Sequence, residues 1–200
     1  MPELFSQAQL LSIFLFAFAT AFTPGPNNLM LLSSGLTFGY KHTLAHILGV
    51  AIGFPLMVLA ISLGLGVILE KMPVLLQLLK VVGIIYLLWM AWKIAHSVEI
   101  RDDYSHAKPF TFLQAAVFQW VNPKAWIMAL TVISTYTLGN NLLYEVIMIA
   151  FIYLIVGLGS THSWTLGGVY LKRWIKDKKS IRIFNISMAL LIVVSVFPFV

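Results

Sequence analysis

Two short stretches carry residues that an apolar helix tolerates poorly. The first is AFTPGPNNLMLL, 21–32, which holds Pro24, Gly25, Pro26, Asn27 and Asn28 in a run with no charged residue between Glu3 and Lys41. The second is QWVNPKAW, 119–126, which holds Asn122, Pro123 and Lys124. Proline has no N–H and clashes with the preceding turn, so each stretch should interrupt its helix, with Gly25 allowing an unusual backbone conformation. Asn27 and Asn28 then stand at the start of a second half-helix, where a side-chain oxygen can cap free N–H groups. Amides and exposed N–H groups at such an end, helped by the helix dipole, can also take a carboxylate. Asn122 and Pro123 offer the same from the other side, and Lys124 adds a cation. Two plainer readings stand beside this one. Asn27 or Asn28 serves only as a cap, and Lys124 snorkels or pairs with a carbonyl.

Other polar residues say less. His46 and His162 fall toward one end of their apolar runs, and either could carry a proton or pack through a hydrogen bond. Lys80 is expected to snorkel. Gly49 and Gly53, with Gly157, Gly159, Gly167 and Gly168, read as places where helices approach closely. Ser33, Ser34, Ser160, Thr161 and His162 form no recognised nucleophile arrangement. Metal-binding clusters, phosphate loops and dinucleotide fingerprints are absent, so neither a metal nor another cofactor is expected. The seven acidic residues avoid the middles of the apolar runs, and Glu145 sits at the start of one. A site without carboxylates suits a small zwitterion or anion.

These residues must be positioned by membrane helices. Of 200 residues, 60% are hydrophobic and 10% charged, with a mean hydropathy of +0.92, far from the soluble average. Six spans are expected at 10–32, 44–69, 74–92, 110–136, 142–171 and 183–199, each able to cross a hydrocarbon layer of about 30 Å. The net charge of +6 lies in short connections and fixes topology; it does not indicate nucleic acid. The first connection has Lys41, the third Lys93, Arg101 and Lys108, and the fifth Lys172, Arg173, Lys176, Lys178, Lys179 and Arg182. The second has Lys71, and the fourth, around Gly139, Asn140 and Asn141, has no basic residue. The positive-inside rule puts connections one, three and five in the cytoplasm and both termini outside. No cysteine is present, so disulfide and thiol chemistry are excluded.

The mixed-charge stretch SVEIRDDYSHAKP divides one transmembrane domain, 1–200, into halves of about 1–98 and 107–200. Three spans per half give similar halves opposite orientations. The expected fold is therefore an all-α integral membrane protein: six transmembrane helices in a 3+3 inverted repeat, with helices 1 and 4 broken. Pro24 and Pro123, each about a dozen residues into its run, fall near the bilayer middle.

At these motifs the chain resembles the LysE/RhtB family of bacterial amino-acid exporters over nearly its whole length. The stretches that carry the resemblance are TPGPNNLMLLSSGLTFGYKHTLAHILGVAIGF at 23–54, GIIYLLWMAWKI at 83–94 and AKPFTFLQAAVFQWVNPKA at 107–125. The PGPN pattern after an apolar run, followed by a glycine-rich second span, is specific to that family. Pro24, Gly25, Pro26, Asn27 and Asn28 match its motif, and Asn122 with Pro123 matches its second break. The cysteine/O-acetylserine branch is the most similar. Family members that export lysine or arginine carry an intramembrane aspartate, which LGVAIGFPLMV lacks. The resemblance implies a secondary exporter of small neutral amino acids in the bacterial cytoplasmic (inner) membrane, driven by the proton gradient without ATP. Its expected partners are the amino-acid substrate and the lipid bilayer, with a homodimer as the oligomer to consider. A passive channel for small zwitterions is the alternative function.

Overall fold

In a computed structural model, residues 5–65, 71, 73–96, 109–137, 141–175 and 177–194 are described, and those with regular structure are helical. Among the described residues, eight α-helices run in chain order: α1 Gln7–Phe22, α2 Pro26–Phe38, α3 Tyr40–Ala60, α4 Pro73–Ala95, α5 Phe112–Val121, α6 Pro123–Tyr136, α7 Leu142–Leu171 and α8 Lys178–Val194. A π-helical turn, Ile61–Leu65, extends α3. Among the described residues, Tyr40–Gly64 and Leu142–Leu171 are long and apolar enough to cross a membrane. The bent pair α1–α2 brings the number to three.

Local chemistry sets the ends of these helices. Ser6 and Gln9 form a capping box that starts α1, and Thr111 with Gln114 starts α5 in the same way. Pro26 and Pro123 stand at the first positions of α2 and α6, where a missing N–H has no cost. The expected breaks are present: α1 and α2 meet at 57° across Thr23–Gly25, and Asn122 alone separates α5 from α6. The first connection is tighter than the expected gap at 33–43. Gly39 alone joins α2 to α3, at a φ of 80° that favours glycine, and Lys41 rides on the first turn of α3. Arg101, Lys108, Gly139, Asn140 and Lys176, the side chain of Lys80, and the ends of the second and sixth expected spans lie outside the described residues.

α7 is the central element, with α1, α2 and α3 packed along it; α3 also packs on α5, and α4 on α8. Close backbone approach explains part of the glycine pattern. A Cβ on Gly168 would collide with the Leu32 carbonyl oxygen, and one on Gly35 with that of Thr165, so α2 and α7 touch backbone to backbone. Gly49 and Gly53 admit α5 against α3 in the same manner. Gly157 and Gly159 differ, because a Cβ there would meet nothing closer than 3.8 Å. Gly167 is intermediate, its nearest neighbour being the flexible end of Leu32 at 3.3 Å.

Candidate functional site

Thr23–Gly25 ends α1 with unpaired carbonyls, and much of the local architecture serves to satisfy them. Asn28 reaches back across the break, and its Nδ2 donates to the carbonyls of Ala21 and Thr23, both at 2.8 Å. Ser160 of α7 donates to the Ala21 carbonyl at 2.7 Å. The Thr23 hydroxyl donates to the Thr20 carbonyl at 2.8 Å. The Gly25 carbonyl already accepts from Leu29 as the first bond of α2. Asn28, 6% exposed, thus closes the end of α1.

Lys124 completes the same surface from the second break. Its Nζ donates to the Thr23 carbonyl and hydroxyl at 2.8 Å each, and to the Pro24 carbonyl at 3.3 Å. A cation at the carbonyl end of a helix is favoured by the helix dipole. Among the described residues no carboxylate lies within ion-pair distance of it. Gly25 supplies the room: a Cβ there would come within 2.8 Å of Lys124 Cδ and 3.1 Å of Nζ. Its backbone is extended, with φ 179° and ψ 173°, so close approach and not an unusual conformation explains the glycine.

The second break is sealed differently. Asn122 caps α6, its Oδ1 accepting the Lys124 N–H at 3.1 Å. The Trp126 indole N–H donates to the Trp120 carbonyl at 2.8 Å and so bridges the gap. A third polar link joins the two breaks. Asn27 and Gln119 exchange amide hydrogen bonds, Nδ2 to Oε1 at 2.9 Å and Nε2 to Oδ1 at 3.3 Å. Gln119 is fully buried and also donates to the Ala115 carbonyl at 2.9 Å.

Between the breaks and helices α3 and α7 lies a chamber with an empty volume of ≈ 530 Å³, part of it open to the outside. Gly25, Asn27, Asn28, Asn122 and Lys124 line it, as does Gln119; Pro24, Pro26 and Pro123 shape the breaks without lining it. Its opposite wall is formed by Val50, Ala51, Phe54 and Gly157. Tyr153 and Thr20, whose hydroxyls lie 3.2 Å apart, add a polar edge. Among the described residues that line it, none is a carboxylate. The chamber thus offers one cation, several amides and hydroxyls, and an apolar side.

The two histidines lie apart from the chamber lining. His46 is fully buried, its Nδ1 3.3 Å from the Ser34 hydroxyl and its ring edge-on to Phe110. His162 Nδ1 is 2.7 Å from the Leu158 carbonyl within α7, and its ring leans on Tyr40. Sequence reasoning gave Gln119 no role, although a glutamine one turn before Asn122-Pro123 in an apolar run was a readable signal. It also missed the buried bond from Ser33 to Asn185 at 2.9 Å, which ties α2 to α8. No spacing in the sequence announces that pair.

The model of the family described as LysE type translocator matches residues 18–199, which includes both breaks and every chamber-lining residue. The chain belongs to the LysE family. Its relatives include cysteine/O-acetylserine efflux proteins of Escherichia coli (strain K12) and Salmonella typhimurium (strain LT2). Each is 34% identical over 187 residues, covering 92% of this chain and 94% of the relative. The Shigella flexneri protein of the same description matches to the same extent. No solved structure matches the chain. As a LysE translocator, the chain is a multi-pass membrane transporter and not an enzyme.

Proposed function

We propose that this LysE translocator exports small neutral amino acids or their derivatives, of the cysteine, O-acetylserine, homoserine or threonine kind, across the bacterial inner membrane. The observation that carries the reading is the chamber between two facing helix breaks, with Lys124 and amides in its wall and no carboxylate among the described residues that line it. An ammonium beside half-helix ends attracts a substrate carboxylate, and the lack of a carboxylate disfavours substrates with a cationic side chain. The relatives, named for cysteine and O-acetylserine efflux, support the substrate class.

On this reading the substrate carboxylate joins the Lys124 ammonium, with Asn27 and Asn122 beside it. The six-span inverted repeat is part of the proposal. Its support is the pairing of α3 with α5 and of α7 with α1, which a two-fold axis would exchange, together with the pairs α3–α7 and α4–α8, which it would map onto themselves. Transport is secondary and coupled to protons, with His46 or His162 as the carrier.

The test is counterflow in proteoliposomes with labelled cysteine, O-acetylserine, homoserine, threonine, leucine and lysine. Small neutral substrates should exchange, and lysine should not. Preferential lysine exchange refutes the substrate class. Flux that neither saturates nor shows counterflow supports the passive channel instead. His46→Gln and His162→Gln separate the coupling step: loss of gradient-driven export with counterflow retained identifies the carrier, and normal gradient-driven export in both removes them.

A further inference from the structure

Pro55 stands inside α3, buried, and has no N–H to offer the turn before it. The carbonyl it deprives is that of Ala51, four residues earlier, halfway along the helix. Ala51 lines the chamber. Across from it on α7 is Gly157, also in the chamber wall. A Cβ built on Gly157 would have only two neighbours within 4 Å, the Ala51 Cα at 3.8 Å and the Ala51 carbonyl oxygen at 3.9 Å. Packing therefore does not require this glycine, in contrast to Gly168, whose Cβ would collide with backbone. A glycine in a helix interior is unfavourable against alanine, and here it leaves the side of the Ala51 carbonyl that faces α7 without a side chain over it, on a residue that is 2% exposed.

A zwitterion brings an ammonium as well as a carboxylate, and an ammonium needs oxygen acceptors. In this chamber three of the amide oxygens already have a donor. Asn27 Oδ1 and Gln119 Oε1 accept from each other's amides, and Asn122 Oδ1 accepts from the Lys124 backbone. A helix carbonyl released by proline keeps its partial negative charge and lacks its usual donor, so it is suited to an ammonium. We propose that the Ala51 carbonyl, released by Pro55 and uncovered on its Gly157 side, accepts the ammonium group of the bound amino acid. The inference rests on the chamber being the substrate site, and it assigns the end opposite in charge to Lys124.

Competition against a labelled amino acid in proteoliposomes tests it, using alanine, alaninamide (ammonium without carboxylate) and lactate (carboxylate without ammonium). Pro55→Ala restores the missing N–H, and Gly157→Val covers the carbonyl. Each should weaken alanine and alaninamide at least tenfold and leave lactate within twofold, whereas Lys124→Met should weaken alanine and lactate and spare alaninamide. Thermal stability of Pro55→Ala should equal or exceed that of the parent, since proline is unfavourable inside a helix, which keeps a binding loss from being mistaken for misfolding. Equal losses for alaninamide and lactate in the Pro55 and Gly157 variants overturn the assignment. Where the single-group analogues compete too weakly to read, alanine decides: unchanged affinity in Pro55→Ala overturns it. A parent that binds no amino acid removes the chamber reading as well, whereas a parent that binds normally beside indifferent variants removes this inference alone.

Discussion

Replacing Lys124 with methionine separates a substrate-binding lysine from a structural one. The ammonium holds the Thr23 carbonyl and hydroxyl at 2.8 Å and the Pro24 carbonyl at 3.3 Å. Hydrogen bonds from a charged group contribute about 1.5–3 kcal/mol each, so the two short ones are worth about 3–6 kcal/mol. Against that, a lysine at the centre of a span costs about 2.5–3.5 kcal/mol on the insertion scale, and methionine avoids the cost. The difference leaves a change between about −0.5 and 3.5 kcal/mol of destabilisation, small enough for the variant to insert and fold. Substrate binding should respond more strongly. Truncating one partner of a buried, hydrogen-bonded charge pair costs about 2–5 kcal/mol, and with about 1.4 kcal/mol per factor of ten that is a loss of about 30-fold to several thousandfold. The assay is competition in proteoliposomes by the free acid and by its amide. The acid should lose affinity within that range, while the amide changes little. Equal loss for the two, with a lowered melting temperature, would falsify the ion pair and leave Lys124 as a clamp on the end of α1.

Other expectations can be checked with single substitutions. Asn28→Ala leaves two buried carbonyls with one donor fewer and should destabilise by about 1–3 kcal/mol, read as thermal unfolding in detergent. Asn27→Ala breaks only the two bonds to Gln119 and should abolish export at near-normal abundance; full transport by the Asn27/Asn28 double alanine variant removes the amides from the site. Gly168→Ala, which drives a Cβ into the Leu32 carbonyl, should cost about 1–3 kcal/mol by overpacking, and parental stability would contradict the α2–α7 approach. Because the chain has no native cysteine, single cysteines at Asn140 and Lys178 should label from outside and from the cytoplasm respectively. The reverse pattern inverts the topology. At the start of α8, Asp177 accepts from the Ser180 side chain and from the Ser180 N–H, the latter at 2.8 Å, and both lower its pKa below the ordinary aspartate value. A lowered carboxylate pKa stabilises above the unfolded-state value and ceases to do so as pH falls through the folded one, so acid should loosen this cap and Asp177→Asn should remove the dependence.

The breaks were legible because proline acts on its own helix. Pro26 and Pro123 define the starts of α2 and α6 without reference to anything distant, and the limits of α7, 142–171, follow from charge and turn residues alone. The partners across the breaks were not legible. Lys124 finds oxygens about a hundred residues away, and Gln119 finds Asn27 at a separation of 92. Such pairings depend on where whole helices pack, which local pattern does not encode. The glycines show the same limit. Gly157 and Gly168 look alike on one helix, yet one faces a cavity and the other a carbonyl, and only the opposite helix distinguishes them. Gly25 was found for an incomplete reason: its lack of a side chain matters more than its backbone freedom.

The bonds that join the breaks also bear on how a transport cycle could run. Lys124 and the Asn27–Gln119 pair connect the end of α1 and the start of α2 to α5 and α6, so the two halves are held together through the polar groups that line the chamber. A substrate carboxylate arriving at Lys124 would compete with the Thr23 and Pro24 carbonyls for the same ammonium. A carboxylate outcompetes a carbonyl because it adds the attraction between opposite unit charges to the hydrogen bond. Binding would then loosen the α1 end from α6 while tightening the contact through the substrate. A ligand shifts a conformational equilibrium only by its differential affinity for the two states, and this exchange of partners supplies such a difference at the junction of the halves. The amide of the same amino acid, having no charge to offer Lys124, should bind without driving the exchange. Counterflow by the acid with none by a bound amide is the result that this coupling requires.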